Sequence, residues 1–199
     1  MLKLFWIVLG YLTGSVPWGL VIGKQFFHKD IRQYGSGNLG GTNAGRVLGA
    51  PIGFLVILLD SLKSFLMMYL CHLLHNNCEL ICGISVCIGH CFPLFADFKG
   101  GKAVACSYGF LLGLACFLHH EYILTFVLPV SIFFTVLAFT RIVSLSSMLS
   151  VLSAALLILF FVNQDTGVVC IMLAFFVIYR HSSNIKRILA GTESKIGKK

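Results

Sequence analysis

Long apolar stretches separated by short polar ones dominate this chain, and residues 4–22, 126–139 and 145–162 each contain no charged side chain. About 20 apolar residues in helical form cross a bilayer. Backbone in lipid must satisfy its own hydrogen bonds, which favours helices. The pattern therefore predicts an all-α polytopic membrane protein of seven transmembrane helices, near residues 2–22, 51–74, 80–95, 103–119, 122–139, 145–162 and 167–179. Two of these are weak: the last is short, and the third carries Gly83, Gly89, His90 and Pro93. The first run continues through Gly14, Ser15 and Pro17 without a cleavage site, so it reads as a span and not as a signal peptide. No repeat, low-complexity segment or soluble module interrupts the series, and residues 1–199 read as a single integral-membrane domain.

Composition agrees. Of 199 residues 58% are hydrophobic and 11% charged, with a mean hydropathy of +0.93; a soluble domain is about half apolar and a quarter charged. The net charge of +8 is spread among apolar segments, with no basic, aromatic-interleaved module of the kind that binds nucleic acid. Its placement is more telling. Lys24, Lys29, Arg32 and Arg46 follow the first span, Lys99 and Lys102 the third, Arg141 the fifth, and Arg180, Lys186, Arg187, Lys195, Lys198 and Lys199 the last. The connections between, around residues 75–79, 119–121 and 163–166, hold no Lys or Arg. By the positive-inside rule the basic connections and the C-terminus are cytoplasmic and the N-terminus is outside. The eight cysteines are scattered through apolar segments without zinc-ligand spacing and read as small buried thiols.

Polar chemistry is concentrated in three places. Residues 35–46, Gly-Ser-Gly-Asn-Leu-Gly-Gly-Thr-Asn-Ala-Gly-Arg, combine glycines that let backbone N–H groups approach an anion with Ser, Thr and Asn donors. They fit a phosphate cradle or, equally, a flexible inter-helix loop, but neither a Walker loop nor a dinucleotide fingerprint. In the second place Lys99 and Lys102 flank Gly100 and Gly101 at the start of a span, an anion site or a pair of membrane anchors. His90 just upstream reads as a structural imidazole or a substrate contact. In the third, His181 and Asn184 share one face if the last helix simply continues, and the surrounding lysines and arginines suit a tail lying on anionic lipid. Within the second span, Asp60 and Lys63 are spaced for a mutual ion pair.

These segments together resemble the PlsY-type glycerol-3-phosphate acyltransferases. The resemblance is carried by Ser15-Val16-Pro17-Trp18-Gly19, by the Gly-Ser-Gly-Asn loop with its Thr42, Asn43 and Arg46, by the run from His90 to Lys102, and by the run from His181 to Glu193. It implies seven spans with the N-terminus outside, in the bacterial inner membrane, and transfer of an acyl chain from acyl phosphate to glycerol 3-phosphate. No cofactor, metal or acyl-enzyme is implied, and there is room for coupling to the enzyme that supplies acyl phosphate. By the same resemblance Ser36, Arg46, Lys102, His181 and Asn184 are the expected catalytic residues. Gly35, Gly37, Asn38, Gly41, Thr42, Asn43, His90, Lys99, Gly100 and Gly101 are expected to bind substrate. Arg46, Lys102 and His181 are expected to converge on one cytoplasmic-facing pocket. Where the family has alanine this chain has Gly41, which predicts a more flexible loop.

A transporter for a phosphorylated metabolite or organic anion would also need cations among its helices. It would place them near the midplane between repeated halves, whereas here the three polar clusters map to one face. A reporter fused after Lys199 should be cytoplasmic and one placed near Asn76 outside; both on one side would refute the seven-span reading.

Overall fold

The computed structural model describes residues 2–197, so Met1 and the terminal Lys198 and Lys199 lie outside the described residues. Among the described residues all regular structure is helical. The chain divides into two compact units, one ending at Gly113 and the other beginning at Leu114.

The first unit opens with helices α1 (Leu2–Gly14) and α2 (Trp18–Phe27), one apolar run broken at Ser15-Val16-Pro17. Pro17 has no N–H to continue the ladder, so carbonyls of the preceding turn lose their helical partners. A short 3-10 turn at Ile31–Gln33 follows, then α3 (Gly41–Leu48), α4 (Ala50–Leu73), α5 (Glu79–Cys91) and α6 (Val104–Gly113). Helix α1 packs on α5, while α4 packs on α3, α5 and α6. Glycines make these approaches close: Gly10 and Gly14, four apart on α1, abut Cys82 and Val86 of α5, and Gly109 of α6 abuts the Ser61 carbonyl of α4. Small residues at such spacing bring backbones together and gain dispersion contact where lipid gives no hydrophobic drive. Leu20, Ile22, Ile31, Leu39, Ala44, Val56 and Ala96 form a buried apolar cluster that ties α2, α3, α4 and the segment after α5 together.

The second unit begins with Leu114–His119, continuing from α6 but wound as π-helix, and resumes with a π turn at Ile123–Val127 before α7 (Leu128–Thr140). Pro129 lies just past that turn and cannot donate backward, and the widened backbone there is a common answer to a missing donor. The Pro129 carbonyl accepts the Ser150 hydroxyl at 2.6 Å. Helix α8 (Val143–Phe161), α9 (Gln164–Arg180) and α10 (Ser182–Leu189) complete the unit. The Asn163 side chain caps α9 by accepting the Thr166 N–H at 2.9 Å.

Among the described residues five helical runs are long and apolar enough to cross a membrane: Leu2–Phe27, Ala50–Leu73, Glu79–Ala96, Ile123–Thr140 and Val143–Phe161. The pair α9 and α10, bent by 61°, makes a sixth, and Val104–His119 is apolar but shorter. The third expected span, weak by its glycines and proline, is thus full length, and the shortest stretch is the fourth. The bend also corrects the idea of one continuous final helix: His181 stands at the break, receiving the Ile185 N–H on its own carbonyl at 2.9 Å.

Because the clash at Gly109 is with backbone, Gly109→Ala should part α4 from α6. A loss on the order of 1–3 kcal/mol is expected, seen as a lower midpoint of thermal unfolding in detergent; an unchanged midpoint would show that the approach carries no weight.

Candidate active site

The glycine-rich segment is part loop and part helix. Residues 34–40 form the loop, and Gly41 starts α3. Asn43, 1% exposed, is the hub that organises it. Its amide N–H groups donate to the carbonyls of Asn38 at 2.9 Å, Ile31 at 3.0 Å and Tyr34 at 3.2 Å, and its oxygen accepts the Ser36 N–H at 2.8 Å. An amide has two hydrogens, so this side chain is fully committed to the loop. Gly35, at φ +61°, lies against the Asn43 oxygen, where a side chain would collide with it. Ser36 is exposed, as are Thr42 and Arg46, which are four apart on one face of α3. Gly41 is buried against Gly53 and Ile57 of α4. Helical hydrogen bonding and this packing remove the extra flexibility that its missing side chain suggested.

The Lys99–Lys102 turn comes next to this loop. Asn38 Nδ2 donates to the Gly100 carbonyl at 3.4 Å while Asn38 Oδ1 accepts the Gly40 N–H at 2.9 Å. Arg32 joins the same two segments, bonded to Asp30 at 2.7 Å and to Asp97 at 3.2 Å. That guanidinium holds the Asp30 carboxyl down at about 2, so the anchor stays charged throughout the physiological range. Gly100 and Gly101 do not take left-handed backbone; Asp97, Phe98 and Ala103 around them do, at φ +53°, +57° and +60°. The two glycines are needed for another reason. They lie on the end of α5, Gly100 against the His90 and Cys91 carbonyls and Gly101 against the His90 ring. Lys99 is exposed and Lys102 half-buried.

Beneath the turn is a buried ionic cluster. Lys63 Nζ lies 2.9 Å from Asp60 Oδ1 and 3.0 Å from His90 Nδ1, and donates to the carbonyls of Gly14 at 2.9 Å and Val16 at 3.1 Å. The expected Asp60–Lys63 ion pair is present, and His90 is a structural imidazole within it. Asp60, His90 and Cys106 bring metal-ligand atoms within 4.8 Å of one another. The Lys63 ammonium already stands among the first two, so this donor set serves an internal cation.

In the second unit the chemistry gathers around Glu193. Its carboxylate accepts from Asn184 Nδ2 at 2.6 Å, Ser144 Oγ at 2.8 Å and Arg187 Nε at 2.6 Å. Burial pushes the Glu193 carboxyl up, but these three donors outweigh it and hold it below the ordinary carboxylate value. His181, 3% exposed, has Nδ1 2.7 Å from the Val177 carbonyl. A carbonyl only accepts, so Nδ1 carries a proton and Nε2 is the atom through which the neutral ring can take one.

A family model described as glycerol-3-phosphate acyltransferase matches residues 4–191. The chain belongs to the glycerol-3-phosphate acyltransferase family. It is 48% identical to the glycerol-3-phosphate acyltransferase of Bacillus velezensis, with 98% of each chain covered. To that of Bacillus subtilis it is 46% identical, again over 98% of each. Among solved structures it resembles the crystal structure of PlsY, an integral membrane glycerol 3-phosphate acyltransferase, in its glycerol 3-phosphate form. That match has a TM-score of 0.88 and 32% identity, covering 98% of this chain and 96% of the other. The lysophosphatidic acid form gives a TM-score of 0.85 and 31% identity, covering 98% of this chain and 95% of the other.

Within this family member, the residues expected at the site separate into kinds. Ser36, Thr42, Arg46 and Lys99 are exposed, whereas Asn43, Gly41 and His90 are buried in packing or hydrogen bonds. Glu193 closes the run from His181 that carries the family resemblance but was given no role from the sequence, and Ser144 was not singled out at all. The signal for Glu193 was its place in that run, and Ser144 had none. Replacing Asn43 with Ala should leave the Ile31, Tyr34 and Asn38 carbonyls short of a donor. Hydrogen exchange of peptides spanning residues 34–42 is then expected to accelerate on the order of tenfold, about 1.4 kcal/mol, within the cost of a lost buried bond. Unchanged protection would mean that the loop holds its shape without this side chain.

Proposed function

We propose that this protein moves a fatty acyl chain from acyl phosphate to glycerol 3-phosphate, giving 1-acyl-glycerol 3-phosphate (lysophosphatidic acid) and phosphate. The observation that carries the reading is the tie between the loop presenting Ser36, Thr42 and Arg46 and the Lys99–Lys102 turn, through Asn38–Gly100 and Arg32–Asp97. That joins neutral donors, a guanidinium and two ammonium groups into one anion-binding surface, suited to substrates that both carry phosphate. The family membership and the likeness to a glycerol 3-phosphate form support the acceptor.

The chemistry asks little of the protein beyond position and charge. In acyl phosphate the carbonyl carbon bears a phosphate leaving group that is already a weak base. The glycerol hydroxyl attacks that carbon, the carbon–oxygen bond to phosphate breaks, and the hydroxyl proton ends on a phosphate oxygen of the substrate. Holding the reactants together and stabilising developing negative charge then suffice. Ser36, Asn38 and Thr42 bind phosphate or carbonyl oxygen, with Gly35, Gly37, Gly100 and Gly101 shaping the backbone around them. Arg46 grips phosphate as a fork, and Lys99 and Lys102 clamp it. His181, with its donor fixed on Nδ1, and Asn184, oriented by Glu193, bind the glycerol moiety in the same reaction. No metal or cofactor enters this scheme. The protein works in the cytoplasmic membrane as one seven-span domain, N-terminus outside, with its polar loops toward the cytoplasm.

Purified protein offered acyl phosphate, acyl-CoA and acyl carrier protein in turn should release phosphate and form lysophosphatidate with the first alone; equal use of a thioester would overturn the donor assignment. Arg46→Lys keeps the charge but loses the fork, and should lower kcat/KM by about tenfold to a thousandfold, roughly 1.4 to 4 kcal/mol. Lys102→Ala should be at least as severe. Near-normal efficiency in both variants would remove these residues from the site.

A further inference from the structure

The Asp60–Lys63–His90 cluster has no part in the proposed reaction, yet it lies directly under the turn that carries Lys102. The three side chains are 1%, 6% and 7% exposed. Lys63 has three hydrogens and four polar neighbours: the Gly14 and Val16 carbonyls, freed by the break before Pro17, together with Asp60 Oδ1 and His90 Nδ1. His90 Nδ1 lies 3.0 Å from the Lys63 ammonium and 3.4 Å from Asp60 Oδ1, so both charged groups hold this end of the ring. The opposite end of the ring, Nε2, faces Gly101.

The turn is seated on this ring. The Gly101 N–H donates to the His90 carbonyl at 3.0 Å and the Gly100 N–H to the Cys91 carbonyl at 3.2 Å. The Gly101 α-carbon is so near the ring that an added methyl would overlap Nε2 and come within 2.8 Å of Cδ2 and Cε1. Neither partner can move to relieve that overlap cheaply: the ring is pinned by Lys63, and the turn by two backbone bonds. Successive α-carbons are about 3.8 Å apart, so any shift of Gly101 carries Lys102 with it.

We propose that His90, held in place by Lys63 and Asp60, is a positioning residue that sets the seat of the Gly100–Gly101 turn and so the place of the Lys102 ammonium at the substrate phosphate. Gly101 and His90 then act as one unit, in which the absent side chain of one is matched to the ring of the other. The functional half of this inference rests on the reading of Lys102 as a phosphate clamp; the coupling of turn to ring does not.

A double-mutant cycle with Gly101→Ala and His90→Asn tests it. Asn keeps an acceptor near the Nδ1 position for Lys63, so the buried ammonium stays satisfied, while the part of the ring under Gly101 is removed. Gly101→Ala alone should raise KM for glycerol 3-phosphate at least tenfold, leave KM for acyl phosphate within about threefold, and speed hydrogen exchange at residues 99–103 about tenfold. Adding His90→Asn makes room for the methyl, and the double variant should recover most of both losses. Losses that simply multiply, or that fall equally on both substrates, would overturn the proposal. Recovery of exchange protection in a protein whose wild type does not bind glycerol 3-phosphate by calorimetry would instead overturn the phosphate reading and keep the seat. If Gly101→Ala gives no folded protein, His90→Asn alone decides: faster exchange at residues 99–103 supports the seat, and unchanged exchange overturns it.

Discussion

A single ammonium group stands where the first unit would otherwise fail to close. The break at Ser15-Val16-Pro17 leaves carbonyls in an apolar interior, where each unsatisfied group costs several kcal/mol. Lys63 answers two of them, and its own charge is balanced by Asp60 one turn away on the same helix. Such a pair is expensive to bury, and removing one member is worse than replacing both. The return is geometric. One side chain from α4 holds the junction of α1 with α2 and, through His90, the end of α5. The helices that carry the polar loops are thereby tied at a common point.

Above that point the loops are built to be rigid before any ligand arrives. Asn43 spends both of its amide hydrogens on the backbone of residues 31–38 and accepts the Ser36 N–H, while Ser36, Thr42 and Arg46 stay exposed. Around the lysine turn, Asp97, Phe98 and Ala103 hold left-handed backbone that L residues disfavour. That conformation costs about 1–3 kcal/mol per residue and persists only where the surroundings impose it. Here the surroundings are the α5 carbonyls and the His90 ring. Preorganised donors and cations are what a reaction with a good leaving group needs most, since they stabilise charge without reorganising as it develops.

The second unit shows the same economy with opposite charge. Glu193 gathers Ser144, Asn184 and Arg187 into one network, so a single carboxylate orients the Asn184 amide and ties α10 to the start of α8. The 61° bend that separates α10 from α9 puts His181 at a break, where its Nδ1 proton goes to the Val177 carbonyl. The same carbonyl also accepts the His181 backbone N–H at 3.1 Å, so main chain and ring of one residue converge on it.

Hydrophobic run length and the alternation of basic connections depend only on local composition, so the all-helical membrane architecture and the three polar clusters were legible in the residues themselves. The i, i+3 spacing of Asp60 and Lys63 likewise announced their pairing, because both lie on one helix. What could not be read locally were the contacts between segments far apart in sequence. Gly41 looked like a source of loop flexibility and Gly101 like part of an anion-binding turn, and only the approach of α4 and of the His90 ring shows how little space each has for a side chain. Asn43 was expected at the substrate and His90 read either as a structural imidazole or as a substrate contact; only the folded chain shows the hydrogen bonds each makes within the protein. Glu193 and Ser144 meet across 49 positions of sequence, a distance over which no periodicity or spacing rule applies. Local pattern sets which groups a segment offers; tertiary packing decides whether each is spent on the protein or left for the ligand.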